Sequence, residues 1–80
     1  MQSPRLINRL PRAAEPLWSI DKNGFRVDCA LIDRGMQGVD VEISSFGNWS
    51  SAHRCESRGA AISEAEELKA GLLRKGGRLI

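Results

Sequence analysis

Few residues in this chain are suited to chemistry. His53 and Cys55 stand two apart, so a strand would carry an imidazole nitrogen and a thiol on one face. With Cys29 as a third donor, such a set could hold zinc with one open position. The pattern around it is thin, because the chain has no C-x-x-C and no second histidine. In a simple meander the strands of Cys29 and Cys55 are separated by a third strand, which sets them about 10 Å apart. That gap is awkward for a shared metal and exceeds the limit of about 7 Å between Cα atoms for a disulfide.

Nucleophilic catalysis would need a base within reach and a third group to orient it. No orienting carboxylate is evident beside His53. Ser44-Ser45 and Ser50-Ser51 flank a turn, where serine is common for local reasons. Gly76-Gly77 follows a helix instead of opening one, so it cradles no phosphate. We expect no enzyme, no cofactor and no metal. Two isolated cysteines, with no run of apolar residues long enough for a membrane span and no secretion signal, point to a reducing cytoplasm.

The elements that carry these residues follow from periodicity. All three prolines fall in residues 1–16, which read as a flexible basic arm with Arg5, Arg9 and Arg12 on one side. From Leu17 the apolar period is 2. Asn23-Gly24 fits a type I′ turn, whose two central residues need positive φ. That turn pairs Lys22 with Phe25, Ile20 with Val27 and Trp18 with Cys29 on an apolar face. Asp21 with Arg26 and Ser19 with Asp28 then share the other face.

A second strand over 25–33 leads to the turn Gly35-Met36-Gln37-Gly38, and a third over 39–45 points Val39, Val41 and Ile43 inward. A fourth strand spans 49–55. If Gly47-Asn48 is its whole turn, His53 and Cys55 face out. One more loop residue turns both inward, the register we favour because it gives the strand an apolar end near the helix.

Ser57 or Ser63 could cap the helix, which we place over 58–75. Ala61, Ala65, Leu68 and Leu72 form its stripe, flanked by Ile62, Lys69 and Leu73. The expected fold is α+β: a four-stranded antiparallel meander covered on one face by a C-terminal helix, with a single domain over 17–76 and a short tail over 77–80.

The run Cys29-Ala30-Leu31-Ile32-Asp33-Arg34-Gly35-Met36-Gln37-Gly38-Val39-Asp40 has the spacing C-x-L-x-D-x-G-x-x-G-x-[DE]. Together with Trp18-Ser19-Ile20 and Arg54-Cys55-Glu56-Ser57, it resembles short bacterial proteins common in proteobacteria. The resemblance covers residues 17–76. It implies the same fold and, since an aromatic commonly occupies the position of Cys55 there, an inward Cys55. It implies no activity and no catalytic residues.

The net charge of +2 is unevenly distributed. Residues 1–16 hold three Arg and one Glu, residues 17–57 four basic and six acidic groups, and residues 58–80 five basic and three acidic groups. The uncovered sheet face would show Asp21, Asp28, Asp40 and Glu42 with Arg26 as its main cation, the wrong sign for nucleic acid. Polyanion binding would fall to the ends, through Arg5, Arg9, Arg12, Arg74, Lys75 and Arg78. Leu17, Ala30 and Ile32 lie on the same face beside Asp28 and Glu42, a small apolar patch suited to protein contact. We expect a non-catalytic protein-interaction or regulatory module that binds another protein or itself, as a homodimer through the open face or an edge strand. A DNA-associated accessory protein is the second expectation.

Overall fold

The computed structural model describes residues 14–45 and 49–80. The basic arm expected over 1–16 lies outside them, apart from its last three residues. Among the described residues five strands form one antiparallel sheet: β1 (Glu15–Lys22), β2 (Phe25–Asp33), β3 (Val39–Ser45), β4 (Trp49–Cys55) and β5 (Arg78–Leu79). Their order across the sheet is β4-β3-β2-β1-β5. A helix, α1 (Arg58–Arg74), precedes β5 and packs against one face. The expected meander and helix are present, and residues 77–80, expected as a tail, instead carry the fifth strand.

The β1–β2 hairpin turns through Asn23 and Gly24 at φ 55° and 84°. Ile20 pairs with Val27, Trp18 with Cys29 and Lys22 with Phe25, as the turn chemistry dictates. β1 starts at Glu15, two residues before the expected boundary, and its register shifts between Pro16 and Trp18. This bulge inserts Leu17 as the extra residue. At the far end of the hairpin Arg58 donates from both guanidinium nitrogens to the two Glu15 carboxylate oxygens, at 2.6 and 2.8 Å, tying the start of β1 to the start of α1.

Ser45 pairs with Trp49, so Val41 faces His53 and Val39 faces Cys55. This longer connection turns both His53 and Cys55 toward the helix side. The core is Trp18, Ile20, Cys29, Leu31, Val39, Val41, Cys55, Ala61 and Ala65.

The Ser57 hydroxyl accepts a hydrogen bond from the Ala60 N–H and caps α1 at its start. Ala61 and Ala65 are fully buried, because their small side chains let the helix backbone lie close to the sheet. The Trp18 indole N–H bridges the two layers, donating to the Ala65 carbonyl at 3.1 Å. Leu68 remains 39% exposed, whereas Ile62, Leu72 and Leu73 pack on the core. The helix is therefore turned toward its Ile62–Leu73 flank relative to the expected stripe.

Gly76, at φ 102°, ends the helix. The Gly77 N–H bonds the Leu72 carbonyl and the Gly76 N–H bonds that of Leu73, a Schellman closure. Gly77 then passes over the Ile20 side chain, where an added Cβ would lie 2.7 Å from Ile20 Cγ2. β5 pairs Leu79 with Ile20 and Arg78 with Asp21, and so covers part of the β1 edge. Among the described residues no further strand lies beside the β4 edge of the sheet.

Candidate functional site

On the uncovered face, register puts Pro16, Ala30, Glu42 and Ala52 in one row across β1 to β4. Ile32, Asp40 and Arg54 form the adjacent row. Ala30 and Ile32 are half-buried, while Pro16 and Ala52 are exposed. Glu42 stands among them and makes no ion pair with any of the described residues. Of the residues expected to form this patch, Ala30, Ile32 and Glu42 lie together. Leu17 sits in the bulge and packs against the core cluster. Asp28 is engaged one row further on, accepting from the Ser19 hydroxyl at 2.5 Å and from Arg26 Nε at 2.9 Å.

This face is not the acidic surface that the residue count suggests. Asp40 is 4% exposed and sits between two guanidinium groups. Arg34 Nε donates to it at 3.0 Å, and Arg54 donates to its other oxygen. Arg54 also donates to the Gln37 carbonyl, which lays the 3-10 turn Gly35–Gln37 over the carboxylate. Arg78 adds a further cation opposite Asp21. Arg34, Arg54, Arg26 and Arg78 thus equal in number Asp21, Asp28, Asp40 and Glu42, with two of them on Asp40.

The Arg54 hydrogen bond, followed by that from Arg34, holds the Asp40 carboxyl below its ordinary value. Ser19 and then Arg26 do the same for Asp28, and Arg58 for Glu15. Folded-state values below the unfolded ones mean stability that is full above the unfolded carboxyl pKa, about 3.9 for Asp. It is lost as pH falls through the depressed folded values. We expect the urea midpoint to drop steadily below about pH 4, and Asp40→Asn to flatten that acid limb relative to the parent. Urea titrations at pH 7 and pH 3 measure this.

On the helix face the structure assembles a group that sequence spacing did not reveal. His53 Nδ1 and Glu64 Oε2 are 2.5 Å apart, with the ring N–H donating to the carboxylate. The Cys55 thiol donates to Glu64 Oε1 at 3.9 Å. The donor atoms of all three side chains lie within 4.8 Å of one another. β4 supplies alternate residues 53 and 55 on one face, and the second turn of α1 brings Glu64 over them. Glu64 is the carboxylate that sequence spacing does not place beside His53.

The His53 side chain is 65% exposed and that of Glu64 31%, so the group opens to solvent at its imidazole end. Burial, then the Glu64 charge, pushes the Cys55 thiol up from its ordinary value. Cys29 is 1% exposed, and burial pushes it up to about 11, with the Glu66 charge adding to that effect. It is an inert core thiol on β2, with β3 between it and Cys55.

A small depression of about 110 Å³ is lined by Glu15, Leu31, Asp33, Val39 and Arg58. Arg58 is already paired with Glu15 there. Of the expected polyanion contacts, Arg74, Lys75 and Arg78 are exposed at the end of α1 and in β5. Arg5, Arg9 and Arg12 lie outside the described residues. Among those residues no helix is long and apolar enough to cross a membrane. No protein-family model, no curated protein and no solved structure matches the chain.

Proposed function

We propose that the chain is a small non-catalytic interaction module that binds another protein through the uncovered face of its sheet. The observation that carries this reading is the patch of Ala30 and Ile32, flanked by Pro16 and Ala52, with Glu42 in its midst making no ion pair among the described residues. Apolar surface set around a lone carboxylate suits a partner that presents an apolar side chain next to a lysine or arginine. Asp28 and Asp40 are paired with arginines and Arg78 stands opposite Asp21, so the patch has a local polarity without a strong net field. A nucleic acid would meet Glu42 at the centre of such a contact, which opposes phosphate binding there.

The test is affinity capture from the native cell with the full chain as bait, compared with Ile32→Glu and Glu42→Lys baits of unchanged circular dichroism. A protein held by the parent and depleted at least tenfold by both variants is the expected result. Capture that neither variant changes overturns the reading. So does recovery of nucleic acid alone, seen as a raised 260/280 absorbance ratio that high salt removes. Sedimentation of the isolated chain at high micromolar concentration separates a second copy of itself from a different partner.

A further inference from the structure

Three donor atoms of three chemical kinds converge where the end of β4 meets α1. They are an imidazole nitrogen from His53, a thiol sulfur from Cys55 and a carboxylate oxygen from Glu64, all within 4.8 Å of one another. We propose that His53, Cys55 and Glu64 form a binding site for one zinc-class divalent cation, with a fourth position open to water or an exchangeable ligand.

The geometry is close to what such an ion requires. Tetrahedral zinc takes nitrogen and oxygen at about 2.0–2.2 Å and sulfur at about 2.3 Å, so its donors sit roughly 3.3–3.7 Å from one another. The His53–Glu64 pair, now at 2.5 Å, has to open by about 1 Å. The Cys55–Glu64 pair, now at 3.9 Å, has to close by a few tenths of an ångström. These two distances run to different carboxylate oxygens, and the widest separation in the group, up to 4.8 Å, has to close by about 1 Å, so rotation of the His53 and Glu64 side chains has to supply all three changes. The sulfur is the best buried of the three, with Cys55 9% exposed. All three residues stand on a strand or a helix, so the ion meets a largely preformed site.

The donor set selects the ion. Mixed nitrogen, sulfur and oxygen ligands favour zinc and its first-row neighbours, whereas magnesium and calcium call for six or more oxygens. The proton balance is simple. The Cys55 thiol releases its proton to solvent, and the proton on His53 Nδ1 shifts to Nε2, freeing Nδ1 for the metal. The carboxylate, no longer accepting from the ring, turns to the same ion. The site lies on the opposite face of the sheet from the Ala30–Ile32 patch, so it stands or falls independently of the proposed protein contact.

Cobalt(II) titration of the reduced full-length chain tests the assignment, because cobalt reports a bound thiolate by a near-ultraviolet charge-transfer band. We expect the band to rise to a plateau at one equivalent and to vanish when one equivalent of zinc is added. Cys55→Ser should abolish it, and Cys29→Ser should leave it intact. His53→Ala and Glu64→Gln, both at positions open to solvent, should keep the fold and weaken zinc binding at least tenfold in chelator competition. The proposal is overturned by an absent band, by a band that survives Cys55→Ser, or by zinc affinity that Glu64→Gln leaves unchanged.

Discussion

Trp18→Ala should leave this domain close to unfolded at 25 °C. Trp18 lies in the strand that faces the middle of α1, and it is 9% exposed. Its indole fills the space that Ala61 and Ala65 leave between helix and sheet, and its N–H holds the Ala65 carbonyl at 3.1 Å. Truncating a buried tryptophan to alanine costs about 3–5 kcal/mol. Total stability for a chain of 80 residues is only about 4–12 kcal/mol at 0.05–0.15 kcal/mol per residue. The neighbouring alanines cannot expand into the space, so the void persists, which places the cost at the upper end. Trp18→Phe keeps most of the bulk and removes only the bridge, for about 1 kcal/mol from the hydrogen bond. Urea denaturation followed by far-ultraviolet circular dichroism measures both variants. A Trp18→Ala loss below about 2 kcal/mol would mean that the helix is not anchored through this residue.

The same layer shows how far sequence can be read. The hairpin was legible residue by residue, since Asn23-Gly24 specifies the turn and the turn specifies every pair up to Trp18 with Cys29. The pairing holds until Leu17, where a bulge intervenes that no turn chemistry announces. The helix was legible in its bounds and its stripe but not in its rotation. Periodicity gives an apolar arc, and sheet contacts decide which part of that arc lies deepest. Leu68 lost that contest to Ile62 and Leu73. The strand of Arg78–Leu79 was not legible, because two residues carry no period.

The candidate site was half legible for the same reason. Alternation along a strand pairs His53 with Cys55, but it does not say which turn of a helix crosses that strand end. Glu64 is nine residues from Cys55 in sequence and reaches it only through the docking of α1. The charge of the open face was misread because formal counts omit reach. Arg34, in the turn, and Arg54, on the edge strand, fold over one buried Asp40. The run from Leu31 to Asp40 instead reads as folding instructions. Leu31 is core, Asp33 Oδ1 accepts from the Gly35 N–H at 2.8 Å to form the turn, and Asp40 receives the two arginines.

Gly38→Ala should be the most damaging small substitution in that run. Gly38 has φ 108° and ψ −158°, a region that only glycine occupies without strain. Adopting it costs alanine about 1–3 kcal/mol. A Cβ there would also collide with the Cys55 carbonyl oxygen and press on Arg54 Cδ at 3.2 Å. The first of these is backbone in the paired strand β4, so it cannot swing aside as a flexible side chain would. Relief requires the end of β4 to separate from the start of β3, where Val39 pairs with Cys55. Opening that end loosens the Asp40–Arg54 pair on one face and moves Cys55 away from Glu64 on the other. We therefore expect a loss of about 3 kcal/mol or more in urea denaturation, strain and clash combined. Cobalt binding at His53, Cys55 and Glu64 should weaken even at temperatures where the variant remains folded. Gly24→Ala is the matched control. Its φ is also positive, at 84°, but an added Cβ there meets nothing within 4 Å. It should show the backbone cost alone and leave the metal response untouched. If the two variants lose equal stability and bind cobalt alike, the contact between Gly38 and the Cys55 backbone does not hold the site in place.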